Sequence, residues 1–302
     1  MNKLNITWDG VYDSTGYLFS FAKSLSAAVK NSPWSELSED IIATSGFAFR
    51  MWVNPELCPS AMSIWQFDRQ PTWIANGGLE TTYAGCYWQP DNVMEQARLD
   101  VMPKITQSID NGIPVIAWDI GVLEWGLLTG YDDKTQKFST LSITGAAEEM
   151  DYALLGKREM PMLNVITLTD KNAKKNEDII ADTLKLAKAH LNGEEWCENI
   201  KGLAVYPVLT HFFEMDDTRY ATCWNMEYYL GTYAALKWYA RKFFEKNNLS
   251  ELAKLYNTVY ENWNKAFEIK KSTDLAAEKN RKVIAELLME AKECERKAVE
   301  LM

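Results

Sequence analysis

The chain has 302 residues, 47% of them apolar and 25% charged, a balance that excludes extended disorder, collagen-like repeats and mucin-like stalks. Its 42 acidic against 32 basic side chains leave a net charge of −10, so neither a nucleic-acid backbone nor an anionic membrane surface is an expected partner. The opening MNKLNITWDG lacks the apolar stretch of a signal peptide and no run is apolar enough to span a bilayer, from which a cytoplasmic location is expected.

From Asp13 onward, DSTGYLFSFAKSLSAAV sets Leu18, Phe21, Ala22, Leu25 and Val29 at helical spacing and predicts a buried first helix, with Asp13 or Ser14 as its N-cap. Residues 34–92 are irregular and aromatic, broken by Pro55, Pro59, Pro71 and Gly77-Gly78, and read as long excursions around a site. Helical spacing returns from Asp91 to Ile109. Strand signals follow at Pro114–Ile120, Gly126–Tyr131 and Phe138–Ile143, with a turn at Asp132-Asp133-Lys134, and predict an antiparallel meander. Leu163–Leu168 adds a further apolar run. Asp178–Leu191 is amphipathic, and beyond Asp217 the pattern is helical over Tyr220–Asn247, Leu249–Lys270 and Asp274–Leu301. The expected organisation is a mixed domain at 1–175 and a mainly helical domain at 176–302.

The charge is unevenly divided: residues 1–150 carry 9 basic and 18 acidic side chains, residues 151–302 carry 23 and 24. The first half also holds eight of the twelve tryptophans. Carboxylates and aromatic faces both attract positive charge, so an acidic, tryptophan-lined cleft there suits an amine-bearing ligand, while ordinary core packing is the simpler account of most of these rings. Cys58, Cys86, Cys197, Cys223 and Cys294 are odd in number, widely spaced and accompanied only by His190 and His211, which supports neither a disulfide framework nor a metal site. No phosphate-cradling glycine motif is present, and no cofactor is expected.

A helix with a polar start, a long irregular stretch, then GIPVIAWDI and EWGLLTGYDD resembles the papain-like cysteine-peptidase superfamily, within it the peptidase C39-like branch and the butirosin-biosynthesis H N-terminal family. In such proteins a cysteine opens the first helix and a histidine begins a strand reading His-x-x-x-x-Thr-Gly-Tyr-Asp. Here Glu124 stands in the histidine's place before Thr129-Gly130-Tyr131-Asp132. Aligning the family's Asp-Cys-Gly opening with Asp13-Ser14-Thr15-Gly16 puts Ser14 in the cysteine's place, and Trp8 six residues upstream where an oxyanion-stabilising glutamine is common. The resemblance covers residues 5–170 and implies an α+β architecture: a papain-like domain, with a helix on an antiparallel sheet, followed by helices. It also implies ligands that bear amines.

The leading expectation is a non-peptidase member whose cleft binds a small polar or amine-bearing ligand, lined by Ser14, Glu124, Trp8, Asp13, Arg50, Trp118, Asp119 and Trp125. Asp119 and Glu124, at neighbouring strand ends beside Trp118 and Trp125, suit an ammonium or else form a solvated turn. Arg50, in the run FAFRMW, suits a ligand carboxylate or a pairing acid. An acyltransferase or amide hydrolase using Ser14 with Glu124 as base is the alternative, and a homodimer through the C-terminal helices is a third. His211 is expected to be structural and His190 to lie on an exposed helix face.

Overall fold

The predicted meander forms and acquires two edges that the sequence pattern conceals. In the computed structural model, which describes residues 2–63 and 65–302, the chain runs β1 (Asn2–Lys3), α1 (Ser20–Lys30), α2 (Ile41–Thr44), β2 (Trp52–Val53), α3 (Gln70–Asn76), β3 (Leu79–Tyr87) and α4 (Asp91–Asp110). It continues β4 (Val115–Ala117), β5 (Gly126–Asp132), β6 (Lys137–Leu141), β7 (Ala147–Asp151), β8 (Met162–Lys171), α5 (Asn176–Leu191) and β9 (Ile200–Lys201). The remainder is α6 (Val205–Glu214), α7 (Arg219–Thr222), α8 (Trp224–Lys246), α9 (Ser250–Ser272) and α10 (Glu278–Leu301). The architecture is α+β with a helical C-terminal region.

Two compact units divide the chain. The first contains residues 1–12, 20–41 and 67–175, and the second contains 13–19, 42–66 and 176–302. One junction falls at Lys175/Asn176, and two earlier segments, 13–19 and 42–66, belong to the second unit.

The first unit is built on an antiparallel sheet in the order β3-β8-β4-β5-β6-β7, with β1 also paired to β5. Side chains alternate across a strand, so each strand contributes to two faces. One face carries Val115, Ala117, Leu128, Phe138, Leu163 and Val165, which bury against Val101, Ile105 and Ile109 of α4. The opposite face takes α1, which packs on β4 and β5. That helix is buried on almost every side: Phe21, Ala22, Leu25, Ala28 and Val29 form one apolar stripe, and the small side chains of Ser20, Ser24 and Ser26 are enclosed as well. The edge strand β3, Leu-Glu-Thr-Thr-Tyr-Ala-Gly-Cys-Tyr, lies in the stretch expected to be irregular; nine backbone pairings to β8 hold it, despite its mixed polar text.

The second unit is a bundle in which α8 packs on α9, α9 on α10 and α10 on α6. Its buried polar centre is the ion pair of Lys237 with Glu295 at 2.7 Å, both side chains fully enclosed. The Tyr206 hydroxyl donates to Glu295 at 2.9 Å, and the Trp263 indole donates to Tyr206 at 2.8 Å. Segment 13–19 joins this unit because Thr15 donates to the Gly231 carbonyl, Thr232 donates to the Tyr17 carbonyl, and the Tyr17 ring sits against Phe267. Segment 42–66 joins it through the β2–β9 pair and through Tyr229, which donates to the Cys58 carbonyl at 2.7 Å. No described helix is long and apolar enough to cross a membrane.

Candidate functional site

The first helix starts at Ser20 rather than near Ser14. Asp13 does not cap it: the Asp13 carboxylate accepts the backbone N–H groups of Gly16 at 2.9 Å and Leu18 at 3.1 Å, closing a turn within the second unit. Gly16 occupies the left-handed region at φ +80°, which a helix running through it would forbid. Ser14, in that same turn, has a buried hydroxyl without a hydrogen-bond partner and opens no helix. The assignment of Ser14 to the helix start is therefore corrected to Ser20. The signal in the sequence is Gly16, a breaker inside the expected first turn.

Ser20 is 3% exposed and its hydroxyl donates to Glu124 Oε2 at 2.5 Å. Both residues belong to the first unit. The turn before β5 aims Glu124 inward: the Ile120 N–H donates to the Glu124 carbonyl, and the Glu124 N–H donates to the Val122 carbonyl. Burial raises the Glu124 pKa above the usual carboxylate range, opposed by the hydrogen bonds from Ser20 and the Trp125 N–H. Among the described residues no cation pairs with it.

Its aromatic surroundings are continuous. The Trp125 ring centre lies 4.8 Å from Phe21, 5.4 Å from Trp118 and 6.4 Å from Phe67, and Phe67 lies 5.6 Å from Tyr87. Trp118 and Trp125 pack against each other, and both are buried.

Asp119 does not share the site in the way the sequence suggested. It is enclosed, with its carboxylate 3.5 Å from Arg158 Nη1 and accepting the Glu159 N–H at 2.9 Å. Its backbone is in the left-handed region at φ +61°, a conformation that costs energy in any residue with a side chain. Arg158 binds that turn, donating also to the Asp119 carbonyl at 2.9 Å and the Gly121 carbonyl at 3.3 Å. Asp119 is a structural anchor with its charge already matched.

Trp8 is likewise committed, its indole donating to the Ser142 carbonyl at 2.9 Å, with the Lys23 ammonium 5.7 Å from its ring centre. Arg50 is 2% exposed and lies in the second unit. Its Nε contacts Glu195 at 2.7 Å, its Nη2 contacts His190 Nε2 at 2.8 Å, and its guanidinium covers the Phe47 ring at 4.2 Å. Burial within this cluster, not ligand recognition, explains the arginine. His190 is correspondingly not on an exposed face: it is 4% exposed, with Nδ1 2.8 Å from Glu195. Burial and the nearby guanidinium lower its pKa to about 4, while Arg50 and His190 outweigh burial at Glu195 and lower that one to about 2.

The five cysteines are all free, and among the described residues no cluster of histidine, cysteine or carboxylate side chains is placed to hold a metal. No protein-family model matches the chain, and no curated protein matches it.

Proposed function

We propose that the first unit is a papain-like domain in which Ser20 and Glu124 fill the cysteine and histidine positions, and that it binds an amine-bearing small molecule at Glu124. The sequence support is the strand beginning Glu124-Trp125-Gly126 and ending Thr129-Gly130-Tyr131-Asp132, which resembles the family's histidine strand. The structural support is a serine that opens a buried helix packed on the strands beside that turn. In this register Ser14 falls six residues before Ser20, the spacing at which the family keeps its oxyanion glutamine.

A single observation carries the ligand class. Asp119, Glu195 and Glu295, the carboxylates drawn deep into the two units, have Arg158, Arg50 and Lys237 as cationic partners. Glu124 has a hydroxyl and a backbone N–H instead. A half-buried carboxylate drawn partly out of water without a countercharge is destabilised, and an incoming ammonium supplies both the charge and further donors. The Trp118 and Trp125 rings add their electron-rich faces to the attraction.

Binding of primary amines and amino sugars, followed by calorimetry at pH 7, tests this. Wild-type protein should bind and Glu124→Gln should not; equal affinity in both rejects the assignment. Ser20 at a helix start, its proton already directed at a carboxylate, also favours a second reading as an acyl acceptor. In that step Ser20 Oγ bonds to the carbonyl carbon of a thioester, Glu124 takes the hydroxyl proton and the thiolate leaves. Intact-mass measurement with acyl thioesters separates the two: an adduct lost in Ser20→Ala supports transfer, and amine binding retained in Ser20→Ala without any adduct supports binding alone.

A further inference from the structure

We propose that Trp118 and Asn164 form a hydrogen-bonding subsite next to Glu124 that takes a carboxamide, so that the ligand is an amine carrying an amide group. The proposal rests on the amine-binding reading of Glu124 and extends it to the ligand's other end.

Register places the two residues together. In the β4–β8 pairing Ala117 opposes Val165, and the Trp118 N–H donates to the Asn164 carbonyl at 3.1 Å, so Trp118 and Asn164 lie opposite one another. Ala117 and Val165 face α4, and alternation turns Trp118 and Asn164 to the other side, the face that carries α1. Trp118 meets Trp125 there, directly after Glu124 in the chain. Both side chains are almost wholly enclosed, at 6% and 1% exposure. The Trp118 indole N–H and the Asn164 Oδ1 nevertheless have no hydrogen-bond partner. Buried polar atoms are ordinarily satisfied, so one unmatched donor opposite one unmatched acceptor needs an explanation.

The adjoining strand gives the subsite an approach from solvent. Asn164 opposes Gly85 of β3, and its Nδ2 donates to the Tyr87 hydroxyl at 3.1 Å. The Tyr83 and Tyr87 hydroxyls hydrogen-bond each other across Gly85. A Cβ at Gly85 would come within 2.4 Å of the Tyr83 oxygen and 2.6 Å of the Tyr87 oxygen, so the absent side chain is what lets them meet. Gly85 is exposed and both tyrosines are half-buried, which leaves this part of the face open.

The chemistry selects the group. A carboxylate would satisfy the indole N–H and repel the Asn164 oxygen; an ammonium would satisfy Asn164 and leave the indole unmatched. A primary carboxamide offers a carbonyl to Trp118 and an N–H to Asn164 from one planar unit that lies flat among aromatic rings.

The test uses unbranched ω-amino carboxamides of graded length, the alkylamines and amino alcohols that match them, and butyramide as a neutral amide. Affinities are measured by calorimetry, with butyramide followed by saturation-transfer NMR. The best amino carboxamide should bind about tenfold more tightly than its matched amine, the gain from matching a buried donor and acceptor. Asn164→Leu, checked for an unchanged melting temperature, should remove that preference and the butyramide signal while leaving alkylamine affinity intact; Trp118→Phe should likewise remove the preference and the butyramide signal. Amines that bind without any advantage for the amide, an equal advantage for amino alcohols, or a preference unchanged in Trp118→Phe each overturn the subsite and leave the Glu124 reading standing. Butyramide binding that depends on Trp118, with no amine bound, supports the subsite and overturns the role of Glu124. Silence from every probe overturns both.

Discussion

The Ser20 hydroxyl and the Glu124 carboxylate, 104 residues apart in the chain, meet at 2.5 Å inside the first unit. Helix α1 supplies one partner and the turn before β5 the other, so the contact exists only when the helix is docked on the sheet. It leaves Glu124 half-buried with its pKa raised by desolvation, the reverse of the usual behaviour of a paired acid.

The consequence for stability has a definite sign. The native protein keeps a proton on Glu124 at pH values where the unfolded chain has released it, so stability falls as pH rises from the unfolded carboxyl's value through the native one. Glu124→Gln removes this titration. The variant should melt higher than the wild type at pH 7 and lose the advantage below about pH 4. Melting curves across that range check it, and parallel pH profiles for the two proteins would contradict the raised pKa.

His190 acts in the opposite sense. Its pKa is lowered to about 4 by burial and by Arg50, so between that value and its ordinary 6.5 the unfolded chain takes up a proton that the native chain refuses. The wild type should therefore lose stability as pH drops through this window. His190→Gln, which has no such titration, should show a flatter profile by urea denaturation. Glu195 titrates lower still, near 2, and leaves the upper part of the window to His190.

At the centre of the helical unit, Lys237→Met should leave Glu295 as an uncompensated buried charge and destabilise by about 3–5 kcal/mol. Lys237→Met with Glu295→Gln should recover most of the loss, because the amide still accepts from Tyr206 without carrying charge. Chemical denaturation of the two variants measures the difference; a double variant no better than the single one would place the energy in packing rather than in charge.

Arg158→Ala should cost about 1–2 kcal/mol through the lost hydrogen bonds to Asp119 and Gly121. If Glu124 is the amine site, the same variant should weaken amine affinity, because the turn that aims Glu124 begins at Asp119. Affinity unchanged in a measurably destabilised variant would show that the turn holds its shape without the arginine.

Much of the secondary structure was legible in the chain. Val115–Ala117, Gly126–Asp132, Lys137–Leu141 and Met162–Lys171 lie on or near the expected strand signals, and α4, α5, α9 and α10 on the expected helices. Apolar periodicity marks such elements because each must bury one face. Strand β3 escaped because its polar text reads as loop until β8 supplies its hydrogen bonds, and α6 escaped because the only expectation placed on that stretch is a structural His211. Glu124 was picked out by its place before the Thr-Gly-Tyr-Asp strand, whereas Ser20 was passed over in favour of Ser14.

Sequence by itself determined the α+β composition and the singular position of Glu124, because periodicity and short-range pattern are local properties of the chain. Tertiary structure decided which charges are already matched. It bound Asp119 to Arg158 and Arg50 to Glu195, and gave Glu124 a serine in place of a cation. That choice depends on burial and on contacts between residues far apart in the chain, since a charge's energy is set by the groups that surround it after folding.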